Sequence, residues 1–442
     1  MNNNVNDTPR QLRLSDTKSN SLKIDSSQTN PLNFYPKTKS NCNIQIYTNF
    51  LISCPYRAEC TKLAKVTSNT SHDSVNRFLN NSSFQFKQMF DEVKQIIKMN
   101  LNGGYLSVDD TILDKPYSLL ENCELINRHY SGKHKMPVKG ICLITLFYTD
   151  PSGKTSPVNF RLYTKGVKSK NEHFRDMVEE VKGWGLKAKF MTSDCFYATK
   201  ENLLKWRLEN YCLCNNISST NIVEYGEICR DKKQKRNELG GKESNTKESN
   251  DNNQNNNRPN TKEPTYGQFI NGSTKCRVKD LDIPKDGIVV EYSGAGLVKI
   301  FKLRPRLGTE YLYFMVKLRS IEEMDKLTKA DFKKLNSKHW NIELYHRTLK
   351  SFCAIEKFMV RSVKAVTNHI FCSLRAFVIL TYNKLKKVLK SVGDLRMRLY
   401  NGLCEQFIFA NSSKPSEQQS PPILTFQLGI EHHPPNYLRT MA

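Results

Sequence analysis

Three acidic residues, far apart along the chain, are the side chains best suited to metal-assisted chemistry. Asp109 and Asp194 each follow a run of strand-forming residues, and Glu343 lies in a helical pattern. Carboxylate oxygens are hard ligands that suit Mg²⁺ or Mn²⁺. Two such ions about 4 Å apart can activate an attacking oxygen and stabilise the leaving oxygen of a phosphodiester. Acidic residues at strand ends are also common turn formers, but together Asp109, Asp194 and Glu343 form a carboxylate triad that could hold two divalent ions.

Glu343 shares a helical face with basic residues. At about 100° per residue, Glu343, Arg347 and Lys350 fall on one side of the helix, with His346 beside them. The other side is apolar and holds Leu344, Tyr345, Leu349, Phe352, Ile355 and Met359. On an isolated helix, Glu343 and Arg347 would form an ordinary i,i+4 ion pair. Residues 331–400, however, hold 15 Lys and Arg against 4 Asp and Glu, which favours a metal ligand beside a phosphate track.

The charge of the whole chain favours a polyanionic partner. The 442 residues carry 68 Lys and Arg against 43 Asp and Glu, a formal net charge of +25. Either nucleic acid or an anionic membrane surface would attract such a chain. The best candidate for a membrane span, Phe371–Tyr382, is short and interrupted by Arg375. We therefore expect nucleic acid as the partner and no membrane.

Cysteine usage and the N-terminus indicate a cytoplasmic, nucleoid-associated protein. The 13 cysteines show no paired pattern, and the first residues contain no apolar core of a signal peptide. The spacings of Cys54 with Cys60 and of Cys212 with Cys214 differ from those of standard zinc sites. We expect the thiols to be reduced.

Short elements in an α/β order position the first two acids. Residues 105–108 predict a strand that ends at Asp109, and residues 188–192 predict another that ends at Ser193-Asp194. Residues 138–148 and 158–163 predict a hairpin. Helices are predicted at 171–184 and 203–208, and a further strand at 211–214. The resulting order, β, β, β, α, β, α, β, is typical of an α/β fold.

A helix near the N-terminus has two possible uses. Residues 70–79 predict a helix capped by Ser71, with Val75, Phe78 and Leu79 on its buried side. Its polar face suits a small helix-turn-helix reader of DNA. An ordinary amphipathic helix would show the same pattern, so the sequence leaves both interpretations open.

The second half of the chain changes composition twice. Residues 230–264 contain no aromatic residue and predict a disordered loop inside a domain. Residues 275–316 alternate as strands and predict a β-rich insertion. Long helical patterns follow at 335–362 and 366–392, and the tail from Asn411 is rich in Pro and Ser.

Three blocks of sequence resemble the catalytic blocks of bacterial insertion-sequence transposases of the DDE superfamily. Leu106–Thr111 resembles the first block, a strand ending in Asp-x-Thr. Thr192–Ala198 is similar to the second, in which an aromatic residue follows the Asp. Trp340–Lys350 resembles the third, Trp-x-Ile-Glu with a Lys seven residues on. The resemblance spans roughly 70–390 and includes the spacing of the three acids.

The third block departs from the signature Tyr-x2-Arg-x3-Glu-x6-Lys. Glu343 and Lys350 match it, but Asn336 stands at the Tyr position and His339 at the Arg position. A partly neutral His339 is a weaker phosphate anchor than Arg. In the first block, Asp-x-Thr selects Asp109, whereas Asp110 would point to the opposite face of the strand.

The resemblance implies a fold and an activity. The fold is α/β, with a ribonuclease-H-like mixed-sheet core interrupted by a β-rich insertion, as in the IS-four-like group, and a small helical N-terminal domain. The activity is cut-and-paste DNA transposition, in which strands are cleaved and a 3′-hydroxyl is transferred to target DNA. Two Mg²⁺ or Mn²⁺ ions would bind the three acids. DNA-binding residues would be Arg347, Lys350, His346 and His339.

The implied partners are DNA and a second copy of the chain. Terminal inverted repeats and target DNA would be bound by a homodimer, because two ends are joined. Predicted boundaries are a flexible arm at 1–43, a helical DNA-binding domain at 44–100, the first part of the catalytic core at 101–215, the insertion at 216–335, the second part of the core at 336–395 and a tail at 396–442. Two alternatives remain: a non-catalytic DNA-binding protein derived from a transposon, and a ribonuclease-H-like nuclease.

A basic loop near the first acid is a further candidate DNA contact. It comprises Lys115 and the stretch Arg128–Lys135, which also holds His and Tyr. A solvated lead-in to the hairpin would have the same composition, so both interpretations stay open.

Overall fold

The computed structural model describes most of the chain between residues 40 and 412. The described residues are 35, 40–54, 57–67, 69–132, 134–230, 266–270, 272–305 and 310–412. The arm predicted at 1–43 therefore lies almost wholly outside the described residues. The loop predicted at 230–264 lies outside them beyond Arg230, as does the tail beyond residue 412.

Five strands form the central sheet, in the order β4-β3-β1-β5-β6. Their bounds are β1 (Tyr105–Asp114), β3 (Met136–Thr149), β4 (Thr155–Tyr163), β5 (Phe190–Ser193) and β6 (Cys212–Ile217). β1, β3 and β4 form an antiparallel meander, and β1, β5 and β6 are parallel. A short strand, β2 (Asn127–Ser131), pairs with the start of β3. This mixed α/β arrangement is the predicted ribonuclease-H-like core.

Helices connect the parallel strands, as parallel pairing requires. α5 (Lys170–Gly183) joins the meander to β5, and α6 (Lys200–Leu208) joins β5 to β6. A capping box of Ser169 and Glu172 starts α5. Its predicted inner face, Phe174, Met177, Val178 and Val181, is buried. The strand and helix types predicted from 105 to 217 are confirmed.

The insertion extends the same sheet. Its strands are β7 (Ile222–Tyr225), β8 (Thr274–Arg277), β9 (Ile288–Tyr292), β10 (Gly296–Leu303) and β11 (Leu312–Lys317). β11 pairs antiparallel with β6, matching Val316 with Cys214, and the order continues β11-β10-β9-β7-β8. A short helix, α7 (Ile321–Lys326), follows. The alternating pattern at 275–316 thus marked strands correctly.

Both long C-terminal helices end earlier than their apolar patterns predicted. α8 (Lys329–Phe352) begins at a capping box of Thr328 and Asp331 and stops ten residues before 362. Ala354 adopts a left-handed conformation (φ 53°), which breaks the helix, and Phe358 then forms a bridge with Ala58. α9 (Val363–Leu385) stops before 392. The buried residues Ile355 and Phe358 lie in a turn and in the bridge that follows it, so helical spacing there was coincidental.

Four N-terminal helices pack with this core. They are α1 (Ile44–Ser53), α2 (Cys60–Val66), α3 (His72–Asn81) and α4 (Phe86–Ile96). α3 confirms the predicted helix and its cap, because the Ser71 side chain accepts a hydrogen bond from the amide of Ser74. The buried side of α3 belongs to the same hydrophobic core as α9. Whether α3 reads DNA stays a prediction.

A buried ion pair fastens α4 to α9. Arg375, which is 0% exposed, donates to Glu92 at 2.6 Å and to Gln45 at 3.1 Å. The Tyr35 hydroxyl donates to Glu92 at 2.6 Å. Of the described helices, α9 is long and apolar enough to cross a membrane, but 83% of its apolar window is buried inside the protein.

The chain divides into two compact units, Met1–Arg396 and Met397–Ala442. The described part of the second unit is helical, because α10 (Asp394–Ser412) continues through residues 397–412. The segment predicted as a tail from residue 396 therefore starts within a helix.

Candidate active site

Two of the predicted acids lie side by side at the ends of neighbouring strands. β1 and β5 are parallel, and their register pairs Ser107 with Thr192 and Val108 with Ser193. Asp109 and Asp194 come next on each side. The hydroxyls of Ser107 and Thr192 are 2.7 Å apart on one face of the sheet. Because side chains alternate along a strand, Asp109 shares that face.

β1 does not end at Asp109, contrary to the prediction. It continues to Asp114 because β3 pairs with it throughout, from Thr145 opposite Asp109 to Gly140 opposite Asp114. β5, by contrast, stops at Ser193. Asp109 therefore lies where the neighbouring strand has ended, which opens a notch in the sheet beside it.

α8 lies along β1 in the same direction and covers this notch. His339 Nδ1 is 3.2 Å from the Thr192 hydroxyl, His346 Nδ1 is 3.4 Å from Asp109 Oδ2, and Lys350 Nζ donates to the Ile112 carbonyl at 2.6 Å. Glu343 lies between the two histidines on this helix face. The helix thus brings the third predicted acid over β1.

The charge of Asp109 affects both of the other predicted acids. Burial raises the pKa of Asp194 to about 7, and the negative charges of Asp109 and Asp110 add to this shift. Burial also raises the pKa of Glu343, again helped by Asp109. Burial alone would raise the pKa of Asp109, but His346 and His339 outweigh it and lower that pKa.

The loop after β5 fixes the position of Asp194. Its Oδ1 accepts hydrogen bonds from the amides of Phe196 at 3.2 Å and Tyr197 at 3.4 Å. The Tyr197 hydroxyl in turn donates to Asp110 Oδ1 at 2.8 Å. The second acid is therefore tied to the strand that carries the first.

Asp110 lies on the opposite face of β1 and is fully engaged. Lys170 Nζ is 2.7 Å from its Oδ2, and the Cys142 thiol lies 3.5 Å from the same oxygen. Asp109 thus faces α8, and Asp110 faces a cation and a phenol. Tyr197 carried a sequence signal as the aromatic residue of the second block, whereas nothing in the sequence marked Lys170.

The predicted DNA-binding residues do not form one stripe. His339, His346 and Lys350 point toward the sheet, and Lys350 also pairs with Glu356 at 3.0 Å. Arg347 points outward and is exposed. Leu344, predicted to be buried, is 42% exposed. The face of α8 that carries Glu343 is therefore defined by the two histidines and Lys350, and DNA contact by these residues stays a prediction.

The stretch predicted as a basic loop is partly a strand, because Arg128–Ser131 belong to β2, which pairs with β3, and two of the predicted basic side chains have partners. His134 Nε2 lies 3.1 Å from Asp114 Oδ2, and Lys115 Nζ donates to the carbonyls of Glu356 and Phe358. Lys133 lies outside the described residues.

The donor set suits a hard divalent cation. Within the described ranges, no Lys or Arg forms an ion pair with Asp109, Asp194 or Glu343. Three oxygen donors with shared negative charge match what Mg²⁺ or Mn²⁺ prefers. In the part of the chain that the structure describes, no group of three or more His, Cys, Asp or Glu side chains is already arranged around one metal position.

Comparisons with known proteins identify one family. The model of the family described as "Transposase DDE domain" matches residues 106–379. A cryo-EM structure of a piggyBac transposase synaptic complex with hairpin DNA is similar at 11% sequence identity and a TM-score of 0.43, over 84% of this chain and 72% of that chain. Among curated proteins, no sequence matches.

Proposed function

The chain belongs to the transposase DDE domain family, and on this premise we propose that it cleaves DNA strands and joins a 3′-hydroxyl to target DNA. The observation that supports the proposal is that the negative charge of Asp109 raises the pKa of both Asp194 and Glu343, the other two predicted acids. Its substrates would be the ends of an insertion sequence, moved by a cut-and-paste reaction.

Asp109, Asp194 and Glu343 would hold two Mg²⁺ or Mn²⁺ ions. When bound, such ions activate the attacking oxygen and stabilise the leaving oxygen of a phosphodiester. Asp194 has a pKa of about 7, so about half of it is protonated near neutral pH. A bound cation would favour the ionised form. His346 orients Asp109, and the loop ending at Tyr197 orients Asp194.

The remaining chain would bring DNA to these acids. Arg347, exposed one turn beyond Glu343, would contact a phosphate without reading sequence. α3 would help to recognise terminal inverted repeats, and a homodimer would hold two ends together. Such a protein would act in the cytoplasm, on the nucleoid.

A strand-cleavage and strand-transfer assay tests the proposal. The substrates are labelled duplexes made from the DNA that flanks the coding sequence, with supercoiled plasmid as target and Mg²⁺ or Mn²⁺ as the ion. We expect cleavage at defined positions and joining of the 3′-hydroxyl end to plasmid. Asp194→Ala and Glu343→Ala should abolish both steps and still bind the duplex.

Asp176→Ala is the matched control, because Asp176 is an exposed acid on α5 that is paired with Lys168. It should leave both steps intact. Binding of ends without cleavage in either metal would favour the non-catalytic DNA-binding alternative. Cleavage without joining would favour a ribonuclease-H-like nuclease. Full activity of Asp194→Ala and Glu343→Ala would overturn the assignment of the acids.

A further inference from the structure

A cleft lies at one end of the core, beyond the acids. It has a volume of about 450 Å³ and lies between the segment that follows β1 and the segment that follows α8. These segments meet because α8 runs along β1 in the same direction. We call it the Lys115 cleft; the residues that matter for its chemistry are Arg57, Lys115, Tyr117, Lys357, Phe358 and Arg361.

The free charges of the Lys115 cleft are positive. Arg57, Lys357 and Arg361 are exposed, and none of them forms an ion pair within the described ranges. The two acids of the lining are already engaged: Asp114 lies 3.1 Å from His134, and Glu356 lies 3.0 Å from Lys350. A polyanion entering the cleft would therefore meet three uncompensated cations.

Lys115 shapes the cleft rather than serving as one of its free charges. Its Nζ donates to the carbonyls of Glu356 at 2.8 Å and Phe358 at 3.0 Å. It also lies 3.3 Å above the centre of the Phe358 ring, a cation–π contact. These contacts hold the segment after α8 against the segment after β1 and give the cleft a fixed wall.

An aromatic side chain stands free at the rim. Tyr117 is 97% exposed, and Met359 beside the cleft is 52% exposed. Proteins that bind single-stranded nucleic acid combine a positively charged groove with aromatic rings on which bases stack. The Lys115 cleft combines the same two features, the exposed ring of Tyr117 and cations that form no ion pair in the described ranges.

We propose that the Lys115 cleft binds unpaired nucleotides of a DNA strand. A base stacks on Tyr117, and the backbone phosphates contact Arg57, Lys357 and Arg361. This inference rests on the proposed function, since it extends the DNA path beyond the acids. A cleft of about 450 Å³ has the size of a small-ligand site, so it accepts about one nucleotide and cannot enclose a base-paired duplex.

The position of the cleft sets where the strand must be unpaired. β1 covers five residues from Asp109 to Asp114, the last of which lines the cleft, or about 17 Å at about 3.3 Å per residue. At about 3.4 Å per nucleotide of stacked DNA, this corresponds to about five nucleotides from the cleaved phosphate.

Fluorescence anisotropy with a labelled 20-nucleotide single strand and a 20-base-pair duplex, both in EDTA, tests the proposal. Tyr117→Ala should weaken binding of the single strand about tenfold and leave duplex binding unchanged. Lys357→Ala and Arg361→Ala should each lower the salt dependence of single-strand binding, by about 0.7 in the log–log slope. Tyr117→Ala should unfold at the wild-type temperature, because its ring is exposed.

The control variants are Tyr311→Ala and Lys302→Ala, which remove an exposed ring and a cation 4.2 Å from its centre between β10 and β11. They should bind the single strand as wild type does. Unchanged single-strand binding by Tyr117→Ala, or an equal loss on duplex, would overturn the proposal. So would displacement of the strand by polyglutamate at equal charge, which would indicate an acidic protein partner.

Binding in EDTA does not depend on strand cleavage. Failure of this test would therefore leave the cleavage assay standing, and failure of cleavage would leave the single-strand result standing.

Discussion

Asp109 and Asp110 are adjacent in sequence but lie on opposite faces of β1 and have different partners. On one face, Asp109 pairs with His346 and raises the pKa of Asp194 and Glu343, and no Lys or Arg in the described ranges pairs with it. On the other face, Asp110 is bonded to Lys170 and Tyr197. β1 thus carries Asp109, which has no Lys or Arg partner in the described ranges, and at the next residue Asp110, whose charge is balanced by Lys170.

The difference separates a functional acid from a structural one. Crowded carboxyls with shifted pKa values cost stability and are characteristic of sites that bind cations or carry out chemistry. A carboxyl held by a cation and a phenol stabilises the fold and positions its neighbours. Asp110, through Tyr197, therefore supports the loop that carries Asp194.

The largest expected effect is on strand cleavage. Asp109→Asn removes a metal-binding charge, so we expect cleavage to fall at least about 1,000-fold, or about 4 kcal/mol in the activation barrier. In Asp110→Asn, the cleavage rate should fall about tenfold or less, because only the loop that carries Asp194 is loosened. Single-turnover cleavage of a labelled duplex measures both. Equal losses in the two variants would remove the functional distinction between the faces.

The stability of the two variants should reverse this order. Asp110→Asn leaves Lys170 partly buried without a counter-charge, so we expect the free energy of unfolding to fall by about 2 kcal/mol. Asp109→Asn loses the favourable contact with His346 but relieves repulsion on Asp194 and Glu343, so the two effects oppose each other and the net change should be small. Urea denaturation in metal-free buffer measures this. Asp176→Asn, in an exposed pair, is the control and should lose about 0.5 kcal/mol or less.

The phenol that links the two faces gives a smaller effect. Tyr197→Phe removes only the hydroxyl that donates to Asp110, so we expect a loss of about 1 kcal/mol in unfolding free energy. Cleavage should fall several-fold, because the loop that carries Asp194 is held less firmly. Tyr130→Phe, on an exposed ring, should change neither quantity. Wild-type cleavage by Tyr197→Phe would show that the link does not position Asp194.

The smallest effect is a pH dependence of stability without metal. The pKa of Asp194 is about 7 in the folded chain and near 3.8 when unperturbed, so the folded state holds its proton more tightly. Its contribution is fully present below about pH 4 and is lost as the pH rises to about 7. Relative to wild type, Asp194→Asn should gain roughly 1 kcal/mol between pH 4.5 and 7.5 in urea titrations. If the unfolding free energies of wild type and Asp194→Asn changed with pH in parallel, the raised pKa of Asp194 would be contradicted.

The sequence was informative where hydrophobic period and chain order decide the structure. Strand and helix types from 105 to 217, the capped helix at Ser71 and the strands of the insertion all follow from local patterns. The ribonuclease-H-like order also followed, because it depends on which strands connect through helices. The end of α8 did not follow from local patterns, because the buried residues of the turn and bridge at 353–358 imitate helical spacing.

The site was predictable in its residue types and less so in its orientations. The sequence placed Asp109 and Asp194 after neighbouring strands and Glu343 on the helix that covers them, but the length of β1 was set by pairing with β3, which local sequence does not encode. The direction of Lys350 was set by a carbonyl on β1, and Lys170 reaches Asp110 across 60 residues. Contacts of this kind arise from the fold and leave no trace in spacing.

The most direct test of the central claim is iron-directed cleavage of the protein itself. Fe²⁺ replaces Mg²⁺, and ascorbate with peroxide then generates radicals that cut the backbone near the bound ion. We expect cuts near 109, 194 and 343, protection by excess Mg²⁺, and loss of all cuts in Asp109→Asn but not in Asp110→Asn. Cuts elsewhere, or an unchanged pattern in Asp109→Asn, would show that this face of β1 does not hold the metal.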